Sequence, residues 1–208
     1  MSMTRREVVR DYGGVSAGDR RDDRRRRLIA AGRRIWGDSG IGDVTVRGTA
    51  REAGLGYRYF YEHFPNRDAL IIAVADEVRH ELVTILIESS VEVDGGIEQQ
   101  LRVALRAFLS AIADDPQMFR IMTSDDAGVE GLDRRRRETL DLVAEAVVAN
   151  LAEHSNTAEA DLRRAARFAV GGVYRLVETW LAERDVEVDE LADVCTQLAM
   201  SVTAAQRT

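Results

Sequence analysis

The stretch at residues 45–70, TVRGTAREAGLGYRYFYEHFPNRDAL, leaves few folds open to this chain. Thr45 is placed as an N-cap, since its hydroxyl can accept a hydrogen bond from a first-turn amide that has no partner within the helix. Val46, Ala50 and Ala53 follow at helical spacing, so one face is apolar and the other carries Arg47, Arg51 and Glu52. Gly54 supplies the backbone freedom of a tight inter-helix turn, and Leu55 plugs it. Gly56 then caps a second short helix, predicted over residues 57–64. Pro65 closes that helix because its ring disfavours helical backbone in the residue before it. Asn66 is placed to cap a third. Helix, glycine turn, helix is the order of a helix-turn-helix unit.

The second of these helices has the character of a DNA-reading element. Phe60 and Phe64, four apart, can fix it to a core. Tyr57, Arg58, Tyr59, Tyr61, Glu62 and His63 cover its remaining surface with hydrogen-bonding groups. A short helix presenting Arg and Tyr in this setting suits the width of the DNA major groove. The plainer alternative is a core-packing helix rimmed by tyrosines.

Ala53-Gly54-Leu55, Tyr61-Glu62-His63-Phe64 and Asn66-Arg67-Asp68-Ala69-Leu70, at these spacings, resemble the signature of the tetracycline-repressor (TetR) family of bacterial transcription factors. The motif spans 26 of the 208 residues. Three positions depart from it: the family often has Ser or Thr at the places of Gly56 and Tyr59, and a small residue at that of Arg58. The resemblance implies an all-α fold, with an N-terminal three-helix helix-turn-helix DNA-binding domain and a larger C-terminal helical effector-binding and dimerisation domain. It implies a homodimeric repressor that binds an inverted-repeat DNA operator and is released by a small apolar effector. Thr45, Tyr61, His63 and Arg67 match the family's phosphate-contacting positions. Arg47, Tyr57, Arg58 and Tyr59 are the candidates for base edges, and Gly56 completes the DNA-binding set.

Whole-chain charge conceals this reading. The protein carries a net −7, yet residues 1–67 hold 15 Arg against 9 acidic residues while residues 68–208 hold 14 Arg against 27. A basic head on an acidic body meets phosphate head-first. Two prolines in 208 residues agree with an all-helical chain. The single cysteine, Cys195, excludes an internal disulfide and suits a reducing compartment. The first thirty residues are too charged for a signal peptide, and no apolar run reaches membrane-spanning length. A cytoplasmic protein with no membrane partner is expected.

Along the chain, residues 1–22 read as a disordered basic arm, open to either DNA contact or simple solvation. Residues 23–67 form the DNA-binding domain and 68–208 the ligand-binding and dimerisation domain. The first helix is predicted over residues 23–38, with Trp36 in the core. Gly48 inside the next helix costs about 1 kcal/mol relative to Ala, and close approach of either the first helix or the DNA backbone would account for it. Further helices are predicted over residues 66–89, 97–113, from 116, from 134, 158–184 and 188–205. The arginines at 134–137 have acidic neighbours and read as a solvated, locally paired face. Asn156 and Glu159 resemble a capping box.

Within the body, Phe108, Met118, Phe119, Met122, Tyr174 and Trp180 read either as ordinary core or as the lining of an effector pocket. The resemblance implies a homodimer through residues 158–205, where Ala165, Ala169, Gly171 and Gly172 permit close packing. The alternatives are a DNA-binding regulator or architectural protein without an effector, and a helical-bundle enzyme. His63, His80 and His154 are far apart and in no metal-ligand spacing, and no phosphate-cradling loop or serine elbow occurs. No catalytic residue, cofactor or metal is therefore expected.

Overall fold

Capping residues set the helix starts of the DNA-proximal half. In the computed structural model, which describes residues 17–204 except 92, 94, 125–127 and 153–157, the Thr45 hydroxyl accepts from the Gly48 amide at 3.1 Å. Asn66 Oδ1 accepts from Ala69 at 2.8 Å, and Asp115 accepts from Gln117 at 3.1 Å with Pro116 just inside the helix. The described residues form helices α1 (Ala17–Ser39), α2 (Val46–Glu52), α3 (Tyr57–Tyr61), α4 (Arg67–Val91), α5 (Ile97–Asp114), α6 (Pro116–Thr123), α7 (Leu132–Ala152), α8 (Glu159–Glu183) and α9 (Val188–Ala204). A 3₁₀ turn, Ile41–Asp43, follows α1. The all-α class expected from the sequence is what the chain adopts.

Three boundaries differ from expectation by two residues or more in the regions that matter here. Helix α1 begins at Ala17, so residues 17–22 are helical and do not belong to an irregular arm; residues 1–16 lie outside the described residues. Charge supports that extension where hydrophobic period does not: Asp19 lies in the first turn, and Asp23 sits 3.6 Å from Arg26 and 3.9 Å from Arg27. Helix α3 ends at Tyr61, although the His63 and Phe64 amides still donate to the Phe60 carbonyl. Helix α7 begins at Leu132, after a turn in which Gly128 and Gly131 take φ of +79° and +92°. Asn156 lies outside the described residues.

One apolar core runs from head to body. Leu28, Trp36, Phe60, Leu70, Val78, Leu109, Val177 and Cys195 are buried in a single cluster, threaded by α4. A satellite cluster of Ala144, Val148, Leu151, Leu162 and Ala166 seals α7 against α8. Head and body are also joined where α6 docks on the C-terminal end of α1. The Trp36 indole donates to Ser124 Oγ at 3.0 Å, Arg120 to the Gly37 carbonyl and Gln117 to Asp38, both at 2.5 Å. Arg33 reaches Glu81 at 2.7 Å and Asp115 at 2.8 Å. Gly37 is needed at this joint, because a β-carbon there would collide with the Gln117 side chain. Gly48 has another explanation than the two expected: an added β-carbon would lie 2.7 Å from Thr45 Oγ1 and push out the cap of its own helix.

Candidate nucleic-acid interface

Helices α2 and α3 meet at Gly54, whose φ of +65° is the left-handed conformation that L side chains rarely adopt. Arg27 of α1 locks this turn, its Nη2 donating to the Ala53 carbonyl at 2.6 Å and reaching the Gly54 carbonyl at 3.5 Å. Phe60 is fully buried and Phe64 nearly so, with ring centroids 5.6 Å apart. Those two anchors turn the opposite face of α3 outward, leaving Tyr57 63% and Tyr61 57% exposed.

The expected DNA-binding residues divide into three groups by what holds them. Arg47, Gly56, Tyr57, Arg58 and Tyr61 are exposed. Arg58 donates to the Tyr59 hydroxyl at 3.0 Å and lies 4.8 Å from the centre of its ring, and that hydrogen bond raises the guanidinium pKa. Arg24 approaches the same ring at 5.2 Å and Glu62 at 3.6 Å, so Tyr59 is half-buried between two arginines. Thr45 uses its oxygen as an acceptor in the α2 cap and keeps its hydroxyl proton for a second partner.

His63 and Arg67 are placed differently. His63 Nε2 is buried without a hydrogen-bond partner, and its pKa is lowered by desolvation and then by the charges of Arg24 and Arg21. A groove of about 500 Å³ opens beside it between α1 and α4, lined by Arg25, Ile29, Phe64, Ile72 and Asp76 among others. Arg67 is turned inward, donating to the carbonyls of Val44 at 2.6 Å and Ile41 at 2.5 Å. It braces the 3₁₀ turn against the start of α4. Sequence reasoning missed the bracing roles of Arg24, Arg25 and Arg27; Arg25 lies over the Phe64 ring at 5.4 Å. The signal was the spacing of three, which puts Arg24 and Arg27 on one side of α1.

In the body, the six candidate pocket residues fall in one apolar cluster. Met118, Phe119 and Trp180 are buried, with Phe108, Met122 and Tyr174 packed against them. The Phe119 and Tyr174 rings are 5.5 Å apart, and burial raises the Tyr174 pKa. Trp180 is committed to ending its helix: its indole donates to the Val186 carbonyl at 2.8 Å, and Arg184, at φ +48°, stacks over it at 4.3 Å. A cavity of about 20 Å³ touches Met122, room for about one water.

A braced glycine turn, a short helix facing outward and a basic surface beside it define a helix-turn-helix DNA-binding regulator. Residues 28–74 match the family model of bacterial regulatory proteins, tetR family. An HTH-type transcriptional regulator of Haemophilus influenzae is 26% identical over 115 residues, spanning 55% of this chain and 56% of that protein. The HTH-type transcriptional activator FasR of Mycolicibacterium smegmatis is 27% identical over 201 residues, 94% of this chain and 90% of that one. Among solved structures, the regulator FadR of Bacillus subtilis in complex with stearoyl-CoA superposes with a TM-score of 0.69 at 16% identity, covering 85% and 98% of the two chains. The helix-turn-helix head thus matches the tetR family model, and the relatives that match this chain are helix-turn-helix transcriptional regulators. These are not enzymes, which removes the helical-bundle enzyme from the alternatives. No helix among the described residues is long and apolar enough to cross a membrane.

Proposed function

We propose that this is a homodimeric, ligand-responsive regulator that binds an inverted-repeat operator in the bacterial cytoplasm. The observation that carries the reading is α3, seated by Phe60 and Phe64 so that Tyr57, Arg58 and Tyr61 project outward from the basic end of the molecule. Thr45, Tyr61 and His63 contact phosphates, the exposed Gly56 lets the backbone approach closely, and Arg47, Tyr57, Arg58 and Tyr59 face base edges. Arg67 acts as the brace beneath them. The sign of regulation follows operator position: overlap with a promoter gives repression, our reading here, and placement upstream gives the activation named for the mycolicibacterial relative.

Dimerisation is supported by the outer faces of α8 and α9. Phe168 is 70% exposed and Leu198 52%, Val194 is exposed near them, and Gly171 and Gly172 face open space. Ala165 is buried within the chain and takes no part. Two heads about 34 Å apart would enter successive major grooves. For the effector we propose an acyl thioester or similar amphiphile, a reading supported by the stearoyl-CoA complex of the Bacillus subtilis neighbour. Its apolar part would separate the packed residues Phe108, Met118, Phe119, Met122 and Tyr174, while Trp180 closes the end of the site. A second reading, a DNA-binding regulator or architectural protein without an effector, draws on the closed core and the small cavity. Under it, acyl thioesters leave both Tm and operator affinity unchanged.

Two measurements test the DNA assignments. Arg58→Ala should weaken operator binding about 10- to 100-fold and relax selectivity at one base pair, while binding to random DNA changes little. Equal loss on both DNAs would move Arg58 to the phosphate set. His63 supplies the pH test. Its pKa is lowered in the free protein and an adjacent phosphate raises it, so the complex holds more protons than the free protein. Operator affinity is therefore expected to rise as pH falls from 7.5 to 6, and His63→Gln should flatten that slope. An unchanged slope in the variant would remove His63 from the interface.

A further inference from the structure

We propose that Arg79, Arg135 and Arg136, where α4, α6 and α7 meet, bind the anionic head of the effector, and that this head competes with Asp76 for Arg135. The inference rests on the effector-responsive reading above. The three arginines line one small cavity together with Ile121, Met122 and Leu132. Arg135 Nη1 lies 2.8 and 2.6 Å from the two Asp76 oxygens, and Arg79 lies 3.3 Å from the same carboxylate. Among the described residues, these are the only ion pairs that Arg79 and Arg135 make. Arg136 pairs with Asp133 at 2.8 Å and reaches the Ser124 carbonyl at 3.4 Å.

The side chains are 29%, 33% and 24% exposed respectively, so their charge is only partly screened by water. Two guanidiniums sharing a single carboxylate leave cationic charge and fork-shaped donor sets unspent, and such forks match a carboxylate or phosphate in bidentate geometry. One arginine would suffice for a structural pair with Asp76. The cavity's apolar side adjoins the cluster containing Phe119 and Tyr174, and Met122 between them yields by changing rotamer. An anionic head at the arginines thus leaves an apolar path for its chain. The sequence pattern had placed the arginines at 134–137 on a solvated, locally paired face. Arg134 and Arg136 do pair with Glu138 and Asp133, but Arg135 crosses to α4.

The site also says how binding reaches DNA. Asp76 belongs to α4, whose first turn holds the Arg67 brace, and Arg135 belongs to the body. An anion that takes Arg135 from Asp76 unties α4 from α7, and by linkage a DNA-bound head must weaken anion binding by the same factor.

The test is calorimetric titration of the full chain with dodecanoyl-CoA, dodecanoate, coenzyme A and the uncharged methyl dodecanoate. The acyl anions are expected to bind at least about tenfold tighter than the ester. Arg135→Gln should remove that advantage and leave ester binding unchanged, whereas Asp76→Asn should strengthen anion binding, because the competing carboxylate is gone. Arg79→Gln gives the same loss as Arg135→Gln should that variant fail to fold. Comparison of the two acyl probes and coenzyme A tells whether the bound head is a carboxylate or a phosphate. A brace with only a structural role would shift every probe in the same direction in both variants, and that result would overturn the proposal. Equal affinity of dodecanoate, dodecanoyl-CoA and ester for the unmodified protein would overturn it too, leaving the acyl-effector reading intact. Absence of binding by all probes would end both.

Discussion

Phe60→Ala is expected to lower the unfolding free energy by about 3–5 kcal/mol and to abolish operator binding. Phe60 has no exposed surface, and its ring lies 5.6 Å from those of both Phe64 and Tyr61. Deleting it removes buried apolar area and leaves a cavity that the short α3 cannot collapse to fill. Helix α3 has only five residues, too few to persist without its tertiary anchor. A domain's total stability is about 5–15 kcal/mol, so the loss is a large fraction of what holds the head. Urea unfolding followed by circular dichroism measures it, with operator binding by fluorescence anisotropy alongside. A loss below about 1 kcal/mol with DNA binding retained would mean that α3 is seated by something other than Phe60.

The second large effect concerns assembly. The pair Phe168→Glu and Leu198→Glu should yield a monomer at micromolar concentration and weaken operator binding at least about 100-fold, because half-sites no longer bind as one linked unit. Both side chains are exposed within the chain, 70% and 52%, so their replacement leaves the fold of a single protomer unharmed. Sedimentation velocity reports the assembly state, and the thermal midpoint of the isolated protomer checks the fold. A variant that still sediments as a dimer would move the interface away from the outer faces of α8 and α9. In that case Leu142, exposed on α7, is the next residue to change.

Much of the reading unit was legible because its determinants are local. Thr45, Gly54, Gly56, Pro65 and Asn66 act within a few residues of themselves, through caps and turns whose chemistry depends on residue type and spacing. Phe60 and Phe64 are read as anchors from their spacing of four alone. The start of α1 is not legible from hydrophobic period, since residues 17–22 are helical with a first-turn acid, Asp19, and charged pairs only from Asp23 onward. Trp180 was grouped with pocket residues for being aromatic and on an apolar face. The structure adds a hydrogen bond to Val186 under the stacked Arg184, which depends on a left-handed helix end that side-chain periodicity does not encode.

Arginine shows where the division lies. All 29 basic residues are Arg, and the pattern of charges along the chain separates a basic head from an acidic body without further help. Which oxygen each guanidinium finds is a separate matter. Arg27 closes the turn at Gly54, Arg67 ties down the 3₁₀ turn, Arg33 spans α4 and the α6 cap, and Arg135 crosses 59 residues to Asp76. The sequence by itself determined the helices, the turn between α2 and α3 and the outward face of α3, since those follow from backbone preference and short-range spacing. Only the tertiary structure decided which arginines stay exposed, which serve as braces and which gather at the cavity between α4 and α7. A long, flexible cation pairs with whatever acceptor the fold brings near, and that neighbour is set by packing between helices far apart in the chain.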